Sequence, residues 1–228
     1  MGSHMRSLRN VIAVLIACLL GASVLFGETR VVVDNEAVRI LSATQAPGEK
    51  TPLHRHERNR VVVFLDSGDL RVFNERGQAK DEHYSAGQTS WSGPTGMHIT
   101  QNTGATPLRI VEIEIKRPAA EKPPLRKPEL DPVAIDPKHN ILLFDNDYVR
   151  VFKSWREPGA SETLHEHTGI GRAVVLLTDL DVNEKLAEGT VSRKTEHAGE
   201  VLWSDGPVTH AGTNLAAKPF EMVIVEVK

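Results

Sequence analysis

The chain has 228 residues, with 27 Lys and Arg against 30 Asp and Glu and a formal charge of −3 at pH 7. No basic stripe disturbs that balance, which argues against a nucleic-acid partner. Its single cysteine, Cys18, excludes disulfides, thiolate clusters and cysteine nucleophiles from everything downstream, so a metal would have to be held by nitrogen and oxygen.

Met1-Gly2-Ser3-His4-Met5 reads as the scar of an expression tag, which removes His4 from the ligand candidates. Arg6 and Arg9 then precede an uncharged apolar run from Val11 to Phe26, the pattern of a secretory signal. The run falls short of the roughly 20 residues that span a bilayer. Residues 1–27 are therefore expected to be tag remnant and signal or anchor, and the globular part to be periplasmic or secreted. Leu15-Ile16-Ala17-Cys18 also resembles a lipobox, in which a lipid on Cys18 would attach the protein to a membrane.

Short β-branched runs follow in chain order: Arg30–Val33, Val38–Leu41, Val61–Leu65 and Leu108–Ile115, then Val149–Phe152, Ala173–Leu177 and Phe220–Val227. Val111-Glu112-Ile113-Glu114-Ile115 alternates as a half-buried strand does, and no long helical period appears, so the class is all-β. The order of runs is written twice. Asp34 to His56 aligns without a gap onto Asp145 to His167, sharing Asp-Asn, Val-Arg, Pro-Gly and Leu-His-x-His. One residue later the register resumes, with Trp91 on Trp203, His98 on His210, Asn102 on Asn214 and Pro107 on Pro219. A repeat of about 110 residues is a whole domain, since solenoid units are far shorter. Two domains are expected, 28–117 and 138–228. Between them, 118–137 carries Pro118, Pro123, Pro124, Pro128, Pro132 and Pro137 and reads as an extended, semi-rigid linker.

Successive side chains on a strand point to opposite faces, so His54 and His56 share a face with Cα atoms roughly 6.5–7 Å apart. His165 and His167 do the same. Two imidazoles so placed reach one ion at about 2.1 Å if a third ligand arrives from another strand. His98 and His210 are the candidates for it.

These residues resemble the two motifs of the cupin superfamily. The first motif reads Gly48 then His54-Arg55-His56, and again Gly159 then His165-Glu166-His167. The second reads Gly87, then Gly93-Pro94-Thr95-Gly96-Met97-His98 and Asn102, and again Gly199, then Gly206-Pro207-Val208-Thr209-His210 and Asn214. The resemblance implies two tandem jelly-roll β-barrels, each with one divalent metal in its mouth. His54, His56 and His98 would hold one ion, and His165, His167 and His210 the other. Three imidazoles suit Fe, Mn, Ni, Cu or Zn, and ligand type alone does not choose.

The sequence departs from the family where a fourth, acidic ligand usually follows H-x-H: Arg60 and Arg172 stand there. Facing inward, each guanidinium could clamp the carboxylate of a small-molecule ligand. Facing outward, each is an ordinary surface charge; Arg60 precedes Val61-Val62-Val63-Phe64, where strand parity cannot be read. The resemblance to cupins that use O₂ implies a dioxygenase-like oxidoreductase acting on a small organic acid or phenol. A redox-neutral isomerase or lyase, and a non-catalytic protein that binds a metal or small anion, both stay open.

Other repeated residues take structural readings. His83 and His197 each follow a glutamate, are read as equivalents, and are expected in surface pairs. Trp91 and Trp203 are expected to pack the core or the contact between barrels. Asn102 and Asn214 are expected to bond backbone at turns. His139, without an equivalent, is expected to be solvated.

Overall fold

A computed structural model describes residues 27–122 and 124–228. The tag remnant, the apolar run and Cys18 lie outside the described residues. Within them, no helix is long and apolar enough to cross a membrane.

The first half is built from β1 (Glu28–Asp34), β2 (Val38–Gln45), β3 (His54–His56), β4 (Arg60–Phe64), β5 (Gly68–Asn74), β6 (Ala79–Tyr84), β7 (Thr89–Ser92), β8 (Thr95–Asn102) and β9 (Leu108–Ile115). A single turn of helix, α1 (Pro132–Ile135), precedes the second half. That half comprises β10 (Asn140–Asp145), β11 (Val149–Arg156), β12 (His165–His167), β13 (Gly171–Leu176), β14 (Leu180–Leu186), β15 (Val191–Glu196), β16 (Val201–Asp205), β17 (Val208–Asn214) and β18 (Phe220–Val227). Each half folds into a five-stranded and a four-stranded antiparallel sheet. The orders are β1-β2-β9-β4-β7 with β3-β8-β5-β6, and β10-β11-β18-β13-β16 with β12-β17-β14-β15. The connectivity is the same in both halves, and each is a jelly-roll barrel.

The apolar runs found in the sequence all fall in the five-stranded sheets, and both faces of those sheets are covered. One face of each meets the other barrel. Val38, Ile40, Val61, Val63, Val111, Ile113 and Ile115 pack in one cluster with Val149, Val151, Ala173, Val175, Val223, Val225 and Val227. These are position-for-position equivalents in the repeat, so the seam has pseudo-two-fold symmetry. Burying one such aliphatic side chain contributes about 1.5–3 kcal/mol. The opposite faces turn into the barrels, where Val62, Phe64, Leu70 and Leu108 form a cluster in the first, and Leu176, Leu180, Val182 and Phe220 one in the second.

The glycine that opens the second motif serves this seam. Gly87 and Gly199 sit at φ 76° and 90°, in the left-handed region that side chains disfavour. A Cβ at Gly87 would stand 3.0 Å from Leu177 of the other barrel, and one at Gly199 3.4 Å from Leu65. Trp91 and Trp203 also pack against the seam, Trp91 with its ring 5.4 Å from that of Tyr148.

The proline-rich segment departs from the extended spacer expected. Asp131 caps α1 through the Val133 amide and forms a two-pronged ion pair with Arg150 at 2.8 and 3.0 Å. The Leu130 carbonyl accepts the Glu166 amide at 2.8 Å, and Arg126 donates to Glu226 at 2.6 Å. From Arg126 onward the segment is therefore fastened to the second barrel.

Candidate metal centres

Each H-x-H lies on a three-residue edge strand paired with the strand that brings the third histidine. In the second barrel β12 and β17 pair regularly, His165 opposite His210 and His167 opposite Val208. In the first, His54 opposes His98 but His56 opposes Thr95, so β8 carries a bulge. The cause is legible: Gly93 to His98 is one residue longer than Gly206 to His210. Both layouts bring one nitrogen from each of three imidazoles within 4.8 Å of one another.

Hydrogen bonding fixes which nitrogen is free. His54 and His98 donate Nδ1–H to the carbonyls of Pro52 and Gly96 at 2.8 and 2.9 Å. His56 Nδ1 lies 3.3 Å from the Glu112 carboxylate. In the second barrel His165 donates to the Thr163 carbonyl at 2.9 Å, His167 to Glu226 at 2.9 Å and His210 to Glu184 at 2.8 Å. With Nδ1 protonated, each Nε2 carries a lone pair. His165 and His167 then point lone pairs at each other across 3.2 Å, and His210 Nε2 is buried without a hydrogen-bond partner. A divalent cation resolves both, so the residues fit a metal, and the carbonyl and carboxylate partners are the outer supports that metal-bound histidines use.

Burial also keeps the rings neutral, as ligation requires. It lowers His56 to about 4, helped by the Arg60 charge, and lowers His98 and His165. His167, fully enclosed, is pushed well below the usual histidine range by the same cause.

The surroundings differ. The first triad is half-buried and opens into a cavity of about 950 Å³. Its walls include Leu41, Val62, Val72 and Ile110, and Phe64 and Tyr84 stack at a 3.7 Å ring separation. The Tyr84 hydroxyl donates to Glu82. In the second barrel His165 and His167 are only 5% and 2% exposed. There Phe152, fully buried, takes the place of Leu41, Ile224 that of Glu112, and Glu184 that of Val72.

Arg60 and Arg172 are each 6% exposed, which removes the reading as surface charges. Strand parity was unreadable because both faces of β4 are buried: Val61 and Val63 meet the other barrel, while Arg60, Val62 and Phe64 line the interior. Arg60 donates to the Gly93 carbonyl at 3.2 Å and stands 3.6 Å from Glu112, with Nε unpartnered. Arg172 is balanced by Glu184 and Glu226, with one Nη unpartnered.

Glu112, Glu184 and Glu226 are the functional residues that sequence reasoning missed. Alternation in β9 marked Glu112 and Glu114 as a solvent face, whereas that face is the barrel lining. Burial pushes Glu112 up against the pull of Arg60, and the His210 bond pulls Glu184 down.

The remaining readings divide. Asn102 and Asn214 bond turn backbone, each through Nδ2 to two carbonyls. His83 and His197 are not equivalents. His83 opposes Asp69 on β6, where the second barrel has Thr195 opposite Asp181, and His197 falls two positions later. His83 pairs with Asp69 at 2.7 Å on the surface, outside the triads. His139 is half-buried and not fully solvated: Asp136 holds its Nδ1 at 2.8 Å and its ring lies 4.6 Å from Trp155.

No family model matches the chain, and no curated protein matches it in sequence. Solved structures do. AerE from Microcystis aeruginosa superposes with a TM-score of 0.63 at 13% identity, covering 90% of this chain and 93% of that one. The cupin 2 conserved barrel domain protein from Leptotrichia buccalis gives 0.54 at 15% identity, covering 90% of each. The chain has a bicupin fold. A variant of Bacillus subtilis oxalate decarboxylase superposes on this chain with a TM-score of 0.60 at 12% identity, over 88% of this chain and 72% of that one. At such identities the likeness is one of fold. The chemistry has to be argued from the two centres of this chain.

Proposed function

We propose that this bicupin is an exported, metal-dependent oxidoreductase whose reaction chamber is the first barrel, acting with O₂ on an organic acid or phenolic. The observation that carries the reading is the meeting of three things in one cavity: the free faces of the first triad, a buried guanidinium and an apolar, aromatic-lined wall. About 950 Å³ is at the upper end of ligand sites, room enough for a substrate larger than a two-carbon acid.

A divalent ion on His54, His56 and His98 would supply Lewis-acid and redox chemistry at its open positions. Arg60, which lines this cavity, would offer its guanidinium to a substrate carboxylate as a charge-assisted bond. Glu112 stands beside His56 Nδ1 and balances Arg60 when no anion is present. Phe64 and Tyr84 present ring faces for an aromatic or aliphatic body.

Metal content comes first: tag-free protein is expected to carry one divalent ion per barrel, Fe, Mn, Ni, Cu or Zn, by elemental analysis. Oxygen uptake by anaerobically iron-loaded protein over a panel of aromatic and aliphatic acids then tests the activity. Uptake is expected to vanish in His54→Ala and persist in His165→Ala. Turnover without O₂ would replace the reading with a redox-neutral isomerase or lyase, and binding without turnover with a metal or anion carrier. Export, and a lipid on Cys18, are tested by cell fractionation and the mass of the mature N-terminus.

A further inference from the structure

The second centre has a feature that its metal ligands do not explain: a residue from the connecting segment reaches its outer supports. Arg126 donates to one oxygen of Glu226 at 2.6 Å, and the other oxygen of Glu226 holds His167 Nδ1 at 2.9 Å. Glu226 is 1% exposed, so this contact is made inside the protein. Two further ties hold the segment in place, the Leu130 carbonyl on the Glu166 amide, between the two histidines, and Asp131 on Arg150. The edge of β12, which the sheet leaves unpaired, is thereby covered by chain. In the first barrel Glu114, the counterpart of Glu226, stands 3.7 Å from Arg39 and Arg58 of its own barrel, and among the described residues no ligand histidine bonds to it. The second triad also leans on two carboxylates, Glu226 and Glu184, where the first leans on Glu112 alone.

We propose that the segment from Arg126 to Asp131 is part of the second metal centre, and that it makes that centre a closed site which retains its divalent ion while the first exchanges freely. Arg126 is a positioning residue: it orients Glu226, which orients His167. An ion leaves the second barrel only after the segment lifts from β12. By linkage the ion must in turn hold the segment down. The inference rests on the metal reading above.

The test uses the full chain loaded with Co(II), whose visible absorption reports each site, and follows release to excess chelator. Two phases are expected, a fast one missing from His54→Ala and a slow one missing from His165→Ala. Arg126→Ala should speed the slow phase alone, by about 10- to 100-fold, the usual effect of removing an outer support, with Arg126→Lys intermediate. Metal loading should also slow hydrogen exchange at the Glu166 amide, and less so in Arg126→Ala. Equal release rates from the two barrels, or a slow phase untouched by Arg126→Ala in protein with unchanged circular dichroism, would overturn the inference and leave the metal reading standing. No cobalt in either barrel would overturn both.

Discussion

Leu41 and Phe152 occupy one position in the two barrels, and the space around the triads follows from that pair and its neighbours. Where the first barrel has Leu41, Glu112 and Val72, the second has Phe152, Ile224 and Glu184. The first triad opens into a cavity, whereas the two H-x-H histidines of the second are buried. The strand order, the seam residues and the triads are alike in both. The difference teaches where a duplicated barrel is free to diverge. Outward faces of the large sheets are held to one another, whereas inward positions can trade volume and charge without disturbing the frame.

The largest effect that would sharpen this comparison is on packing. Phe152→Ala should cost about 3–5 kcal/mol in denaturant unfolding of the metal-free protein, the usual range for an enclosed aromatic. Leu41→Ala, on a cavity wall that already lacks neighbours, should cost less than about 2 kcal/mol. Equal losses would mean that the first cavity is not open in solution. Next comes ligand recognition. Arg60→Gln should raise KM for carboxylate substrates by about 10- to 100-fold, the equivalent of about 1.5–3 kcal/mol for a charge-assisted bond. It should leave KM for an uncharged phenol unchanged, and Arg172→Gln should affect neither.

The smallest effect lies at the seam. Asp66 accepts the Arg109 amide and both prongs of its guanidinium, whereas its counterpart Thr178 accepts only the Glu221 amide. The Arg109 bond holds Asp66 below its ordinary carboxylate value of 3.8. The unfolded chain therefore binds this proton first as the solution is acidified. The stabilisation is complete above that value and is lost as pH falls through the lower folded value. Asp66→Asn should remove the acid-dependent part, less than about 1 kcal/mol for a partly exposed pair. A melting curve against pH that is unchanged by the substitution would rule it out.

The sequence made the frame legible because apolar runs in the large sheets and the doubled motifs carry strong signals. The outer strands of the small sheets, Ala-Lys-Asp-Glu-His-Tyr in β6 and Val-Ser-Arg-Lys-Thr-Glu in β15, were invisible because their side chains are mostly exposed and polar. Arg60 was left undecided and Glu112 misjudged for one shared reason. Alternation tells in from out only when one face meets water, and neither face of β4 or β9 does. Arg126 had no signal at all, since proline content describes stiffness and not what a segment lies against.

The seam has a further consequence. Because equivalent residues face each other across it, a single repeat carries a surface complementary to itself, as the subunits of a two-fold dimer do. Either half expressed alone should pair with its own copy before it persists as a monomer, and fusion of the two would then have served to let one partner change without the other.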